Sequence, residues 1–302
     1  MGNADEEPMA KPNSNVDDER IRDPTYHTTD ANYTLPNDDT EHARLEDQAI
    51  GLAEMMHNKL IHAPLQSPQS LVDVGCGTGI VTRQLGAAYP DAKVYGVDLS
   101  PVPSGPKPPN VDYILGDIGQ LLHNDPRLAH GSADFVFSRL LLLGITDWAG
   151  YVRDVAALLR PGGWVEMQDL ALEWFLHGSY CSGGWEWMQA LFAAGEQKGW
   201  DLRCGRNIKG YMEQAGLVDV SVKEYRLPMG DWLARERPET RRIGQHAARE
   251  YGMLYYHAIP KMLEGMGYTE EKIEELSTMC TKDWAGQEGK EMTFYATVGR
   301  KP

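Results

Sequence analysis

The sequence predicts an α/β fold, in which one mostly parallel sheet carries helices on both faces and ends in an antiparallel strand. Seven short apolar runs along the 302 residues read as strands. The first four each lead into acidic, glycine or other polar residues. Helical patterns separate several of these runs, as parallel strands joined by crossover helices require. The last run, at 292–299, would return antiparallel into the sheet.

The first strand leads into a glycine-rich turn. Residues 71–74 supply the short apolar run of a strand that is buried on both faces, and Gly75, Gly77 and Gly79 follow. Glycine tolerates positive φ and lets the backbone approach a ligand closely. A helix predicted at about 79–89 would point its free N–H groups into this turn. The turn is therefore the predicted centre of a ligand site.

The order of the glycines argues against two common nucleotide sites. A phosphate loop needs Gly-Lys-Ser/Thr at its end, whereas Gly79 is followed by Ile80 and Val81. The dinucleotide fingerprint G-x-G-x-x-G would need a glycine in place of Ile80. The chain instead reads acidic-x-G-x-G-x-G from Asp73 onwards. A carboxylate at that point suits an adenosine cofactor whose amino-acid tail carries an ammonium group.

The next three strand ends could complete a nucleoside site. Asp98 ends the second strand, where an acidic residue binds the ribose hydroxyls in such folds. A carboxylate and an apolar neighbour after the third strand could contact the edge and face of an adenine, and the fourth strand ends in polar residues. Together with the glycine turn, the predicted cofactor-binding residues are Asp73, Gly75, Gly77, Gly79, Asp98, Leu99, Asp117, Ile118, Ser138 and Arg139.

One further cofactor contact is predicted before the first strand. A helix from 38 to about 61 has apolar residues at three- and four-residue spacings, and in this fold it would lie across the mouth of the ligand site. Tyr33 precedes it in an irregular segment. An aromatic ring with a polar hydroxyl in such a segment is expected to pack on another group, such as a cofactor or substrate. Tyr33 therefore joins the predicted cofactor-binding residues.

Two insertions interrupt the core pattern, at 170–205 and 229–285. Clustered aromatic residues with few polar groups are typical of small-molecule sites, although each ring could instead pack inside a cap. We expect one domain after an acidic tail at 1–29. Its parts are a lid helix at 30–64, a cofactor-binding core at 65–169, substrate caps at 170–205 and 229–285, and the last strand at 286–302. The predicted substrate-binding residues are Trp148, Trp174, Tyr180, Trp185, Trp232 and Tyr255.

Composition narrows the function further. The net charge of −15 argues against a nucleic-acid surface. The four cysteines are widely spaced and indicate neither a zinc site nor a disulfide framework, so no metal is predicted. No apolar stretch reaches the length of a membrane span. We expect a cytoplasmic monomer or homodimer that acts on a small molecule, away from membranes.

The ordered strand-end motifs resemble the S-adenosylmethionine-dependent methyltransferases of the Rossmann-like class I. More narrowly, the chain resembles the fungal methyltransferases grouped around the secondary-metabolism regulator LaeA, also called UMTA-type. The motifs that carry the narrower resemblance lie at 33–38, 44–45, 73–79, 96–101, 108–111, 139–148, 161–166, 227–232 and 298–302. The chain departs from the family pattern at Ala49, where a histidine is usual, and at 143–146, both near the expected substrate entrance.

The resemblance implies S-adenosylmethionine as cofactor and methyl transfer by in-line displacement. Our main hypothesis is O-methylation of a small apolar secondary metabolite. A phenol acceptor would gain from a general base, for which His177 and His246 are the candidates, whereas a carboxylate would need none. The alternatives are a regulatory LaeA-like protein methyltransferase or scaffold, and a cyclase or pericyclase that binds the cofactor without transferring its methyl group.

Overall fold

The computed structural model describes residues 39–302. Tyr33 and the predicted tail at 1–29 lie outside the described residues. Within the described range, no helix is both long enough and apolar enough to cross a membrane.

In the described part of the chain, seven strands of five or more residues form the body of the sheet, in the order β3-β2-β1-β4-β5-β9-β8. Strands β1 to β5 pair in parallel, and β9 pairs antiparallel with β5 on one side and β8 on the other. A short hairpin of two-residue strands, β6–β7, lies at the start of β9, where β6 pairs antiparallel with β9. The strands are β1 Ser70–Val74, β2 Lys93–Asp98, β3 Val111–Leu115, β4 Ala133–Arg139, β5 Leu159–Leu170, β6 Phe175–Leu176, β7 Ser179–Tyr180, β8 Val218–Pro228 and β9 Lys290–Arg300. The predicted fold class is confirmed.

Helices connect and cover these strands. They are α1 Asp39–Met55, α2 Ile80–Ala88, α3 Ile118–Asn124, α4 Trp148–Leu158, α5 Glu186–Lys198, α6 Cys204–Gln214, α7 Arg241–His246, α8 Gly252–Leu263 and α9 Glu270–Trp284. A π-helical turn at Ala247–Tyr251, here the π turn, joins α7 to α8. Such turns shift the register of side chains along a helix and are frequent at functional sites.

The first helix ends earlier than its apolar pattern predicts. Helix α1 stops at Met55, and His57 and Asn58 follow with φ values of 57° and 55°. The Asn58 N–H donates to the Ala53 carbonyl at 2.7 Å, which satisfies one of the free carbonyls at the helix end. Two consecutive residues in the left-handed region cannot continue a right-handed helix.

The aromatic residues of the two insertions form a packed cluster. Trp174 is fully buried and meets Trp284 of α9 edge-to-face, with ring centroids 4.5 Å apart. Trp187 of α5 also packs on Trp174, at 5.8 Å. Aromatic pairs in this geometry stabilise a fold beyond the area they bury. The cluster therefore joins the 170–205 segment to α9.

Candidate functional site

A cavity opens at the carboxyl ends of β1, β2, β4 and β5. Helix α1, the π turn and the start of α8 form its opposite side, through Gln48, Tyr251 and Tyr255 among others. In open α/β sheets, ligands bind in the crevice outside the carboxyl ends of the strands. This cavity is therefore the candidate functional site.

The glycine turn forms the wall of the cavity next to β1. Gly75, Gly77 and Gly79 have φ values of 67°, 55° and 74°, a region that residues with a Cβ atom rarely adopt. Gly75 and Gly77 line the cavity, whereas Gly79 lies against Tyr113. At Gly75 and Gly77 the turn thus presents bare backbone to whatever occupies the cavity.

Asp98 at the end of β2 faces this turn. The Gly77 N–H donates to one of its carboxylate oxygens at 2.8 Å, and the Ser100 N–H donates to the other at 2.9 Å. A carboxylate has about four lone-pair sites, so each oxygen can accept a further hydrogen bond from a ligand. Leu99 and Ile118 continue the cavity wall beyond Asp98. This end can hold a diol beside an apolar wall.

A carboxylate and a guanidinium group lie next to each other at the ends of β1 and β4. Burial raises the pKa of Asp73 to about 7, although the Thr82 hydroxyl donates to it at 2.6 Å and Arg139 lies nearby. Burial also lowers the pKa of Arg139. Within residues 39–302, the guanidinium group of Arg139 has no hydrogen-bond or ion-pair partner. Two complementary charges are therefore available at the cavity wall.

Another part of the cavity is largely apolar and contains a second buried carboxylate. The segment 140–145 lines it, together with Leu170, Leu254 and Tyr255. Asp169 at the end of β5 is 1% exposed and accepts the N–H of Leu141 and of Leu170, each at 2.8 Å. Burial raises the pKa of Asp169 to about 7 despite these two donors.

Polar contacts connect α1 to the α7–π–α8 helix across the cavity. The Gln48 amide donates to the Tyr251 hydroxyl at 2.6 Å. Asp47 accepts from Arg242 at 3.0 Å and lies 2.8 Å from Nδ1 of His246. The His246 ring packs edge-to-face on Tyr251, with centroids 5.6 Å apart. These contacts fix Tyr251 as a wall of the cavity.

The structure brings most of the predicted cofactor-binding residues to one cavity. Gly79 and Ser138 lie outside its lining, and Ser138 is buried in the sheet. Tyr33 lies outside the described residues. The predicted residues that line the cavity are Asp73, Gly75, Gly77, Asp98, Leu99, Asp117, Ile118 and Arg139. Their roles toward a cofactor stay predictions.

Of the predicted substrate-binding residues, Tyr255 lines the cavity. Trp148 and Trp174 are buried in the core, and Trp185 is half-buried beside Trp187. Trp232 donates from its indole N–H to the Lys290 carbonyl at 3.1 Å, and Tyr180 is exposed on β7. Within the described chain, the aromatic rings of 174–200 pack mainly on one another and leave the cavity lining to other residues.

The two predicted bases lie apart from each other, and neither lines the cavity. His177 is exposed at the turn between β6 and β7, with a φ of 48°. His246 is fully buried behind Tyr251, and its Nε2 has no hydrogen-bond partner in the described chain. Burial lowers the pKa of His246, against the opposing effect of Asp47.

Sequence reasoning missed Asp169, Tyr251 and Gln48 as cavity residues. For Asp169 a signal existed, because it ends the fifth strand just as Asp73 and Asp98 end the first two. No signal marked Tyr251, since the π turn that sets its direction has no reliable pattern in a single sequence.

Comparison with known proteins places the chain among methyltransferases. The family model described as Methyltransferase domain matches residues 48–222. The methyltransferase str2 of Strobilurus tenacellus is 31% identical over 199 residues, which cover 65% of this chain and 71% of that protein. The methyltransferase pytC of Aspergillus terreus is 27% identical over 260 residues, covering 84% and 77%. The secondary metabolism regulator laeA of Monascus pilosus is 30% identical over 214 residues, covering 69% and 57%.

Proposed function

The chain belongs to the methyltransferase-domain family, as a LaeA-like class I S-adenosylmethionine-dependent enzyme, and we propose that it methylates an oxygen atom of a small, largely apolar metabolite. The observation that carries this proposal is the composition of the cavity. Strand-end carboxylates and the glycine turn form part of the lining, and apolar side chains form much of the rest. A polar nucleoside and an apolar acceptor could therefore share one cavity.

The charged groups at the cavity wall fit S-adenosylmethionine. We assign the ribose hydroxyls to Asp98, whose two oxygens each retain acceptor capacity. The ammonium group of the amino-acid tail is assigned to Asp73, and its carboxylate to Arg139, which lacks a hydrogen-bond partner in the described chain. The adenine is assigned to Leu99, Asp117 and Ile118. When bound, the cofactor supplies a methyl group on a sulfonium sulfur.

The main task of the protein is to hold the acceptor at the reacting distance in a cavity without water. Positioning of this kind can contribute roughly 7 to 11 kcal/mol toward a reaction barrier. Residues 140–145 and Tyr255 give the acceptor end its apolar surface, and Gln48 holds Tyr251 in place between the two ends. An apolar acceptor would displace water from this end.

The test is product mass combined with cofactor binding. Purified protein should bind S-adenosylhomocysteine in calorimetry, and incubation with S-adenosylmethionine and candidate acceptors should add one methylene unit to the product. A converted acceptor of unchanged mass would support the cyclase alternative. Methylation confined to added proteins or peptides would support the regulatory alternative. Absence of cofactor binding would contradict the proposed function.

We also propose that the enzyme works in the cytoplasm as a monomer or homodimer, on a small molecule and without nucleic acid. The net charge of −15 supports the last point. The four cysteines, which are free thiols in the structure, suit a reducing compartment. Light scattering would determine the oligomeric state, and imaging of a tagged protein would test the compartment.

A further inference from the structure

Asp169 lies where the acceptor should sit. In the proposed function, the nucleoside of the cofactor is assigned to the ends of β2 and β3, and its amino-acid tail to the ends of β1 and β4. The next strand in the sheet is β5, which ends in Asp169 and Leu170. The acceptor of the proposed function therefore falls against Asp169, with the apolar segment 140–145 beside it.

The thiol and hydroxyl groups beside Asp169 are neutral at ordinary pH, while the charged Asp73 and Arg139 act on the same tyrosines from the ends of β1 and β4. The titratable groups that face it are the Cys204 thiol of α6 and the hydroxyls of Tyr151, Tyr251 and Tyr255 from α4, the π turn and α8. The N–H groups of Leu141 and Leu170 and the Cys204 thiol donate hydrogen bonds to it, and a carboxylate with about four lone-pair sites can still accept another. A carboxylate in such surroundings can take up a proton near neutral pH.

We propose that Asp169 is the general base of the reaction and that the acceptor is a weakly acidic hydroxyl, such as a phenol. The acceptor O–H bond breaks and its proton moves to a carboxylate oxygen of Asp169. The acceptor oxygen forms a bond to the methyl carbon as the carbon–sulfur bond of the sulfonium breaks, and the electron pair of that bond stays on sulfur. The inference rests on the proposed function and specifies its acceptor.

Other candidate bases in the described chain are worse placed. His177 is exposed on the β6–β7 turn and His246 lies behind Tyr251, so neither lines the cavity. Asp73 lines it, but at β1, where the cofactor tail is assigned. A carboxylic acid acceptor, already ionised, would have no use for a base at this position.

A first test measures contact between Asp169 and a hydroxyl without any turnover. Protein saturated with S-adenosylhomocysteine is titrated with 4-chlorophenol and with 4-chloroanisole, which lacks the hydroxyl proton. The wild type should prefer the phenol by about tenfold, since a hydrogen bond to a charged acceptor is lost with the anisole. Asp169→Asn should lose that preference.

The matched control is Asp134→Asn. Asp134 is also buried and accepts two backbone N–H groups, from Gln69 at 2.7 Å and Ser70 at 2.9 Å. It also pairs with Arg160, and it lies near the start of β4, at the opposite edge of the sheet. This control should keep the phenol preference. Its behaviour separates a loss of contact from a general loss of packing.

A second test uses the acidity of the acceptor, with a panel of substituted phenols and benzoic acids methylated at pH 9. Asp169→Asn should lose about 100-fold or more in kcat/KM on phenols that are still protonated. It should lose little on 4-nitrophenol, which is ionised at that pH and needs no base. Asp134→Asn should lower the rates on all phenols by the same factor.

Three outcomes overturn the inference. In the first, Asp169→Asn loses the same factor in kcat/KM on all phenols. In the second, Asp169→Asn keeps the phenol preference of the wild type in the binding test. In the third, the wild type methylates benzoic acids but none of the phenols. In each of these cases, binding of S-adenosylhomocysteine would leave the proposed methyltransferase function standing. A protein that binds no S-adenosylhomocysteine would instead remove both.

Discussion

Replacing Asp73 with asparagine should stabilise the protein at alkaline pH. Asp73 is 2% exposed, and burial raises the pKa of its carboxyl from 3.8 to about 7. Because the folded-state pKa is the higher one, the stability that this group contributes is complete below the unfolded-state pKa and is lost as the pH rises through about 7. The loss at pH 8 is on the order of 4 kcal/mol. Asparagine avoids it, and its amide oxygen can still accept the hydrogen bond from Thr82.

The measurement is urea unfolding of the cofactor-free wild type and Asp73→Asn at pH 5 and pH 8. The gain in unfolding free energy of the variant over the wild type should grow by about 2.5 kcal/mol between the two pH values. Asp169 titrates in the same range, but its contribution is common to both proteins and cancels in the difference.

Asp134→Asn again serves as control. Burial alone would raise the pKa of Asp134, but the N–H groups of Gln69 and Ser70 and the guanidinium group of Arg160 lower it overall. Its stabilising effect is therefore lost only as the pH falls through that lowered pKa, and should be constant between pH 5 and pH 8. If the difference in unfolding free energy between Asp73→Asn and the wild type is also the same at pH 5 and pH 8, burial does not raise the pKa of Asp73 as argued.

Three further predictions concern the site. Asp98→Ala should weaken S-adenosylhomocysteine binding about 100-fold in calorimetry, because two charge-assisted hydrogen bonds to the ribose are lost; unchanged affinity would contradict the ribose assignment. Arg139→Met should weaken binding of S-adenosylhomocysteine about tenfold or more but leave 5′-methylthioadenosine, which lacks the carboxylate, unaffected. Equal losses of affinity for the two ligands would show that Arg139 does not bind the carboxylate of the amino-acid tail. His177→Ala should leave methyl transfer unchanged in a radiolabel assay, because the exposed ring lies outside the cavity lining, and a large loss of rate would return His177 to the candidate bases.

The part of the cavity lining to which we assign the cofactor could largely be predicted from the sequence. Asp73, the glycines and Asp98 follow apolar runs directly, and parallel strands bring such positions to the same edge of the sheet. The inference needs only local patterns and the topology of the fold. Arg139 could be placed by the same rule, whereas its lack of a hydrogen-bond partner could be seen only in three dimensions.

The acceptor end could not be predicted in the same way. It is formed where α1 meets the α7–π–α8 helix, about 200 residues away along the chain, as the contact between Gln48 and Tyr251 shows. Aromatic composition suggested that the 170–205 insertion would line a pocket. Composition does not say which way a ring points, and Trp174 packs on Trp284 in the core.

The position of β9 has a consequence for biosynthesis. This strand lies between β5 and β8 and pairs with both along most of its length. Strands β5 and β8 therefore do not pair with each other. Until residues 290–300 leave the ribosome, β5 and β8 each present an unpaired edge, which is a template for intermolecular pairing. A premature stop codon just ahead of β9 should therefore yield an insoluble product, although all the residues that line the cavity, the last of which is Tyr255, would have been translated.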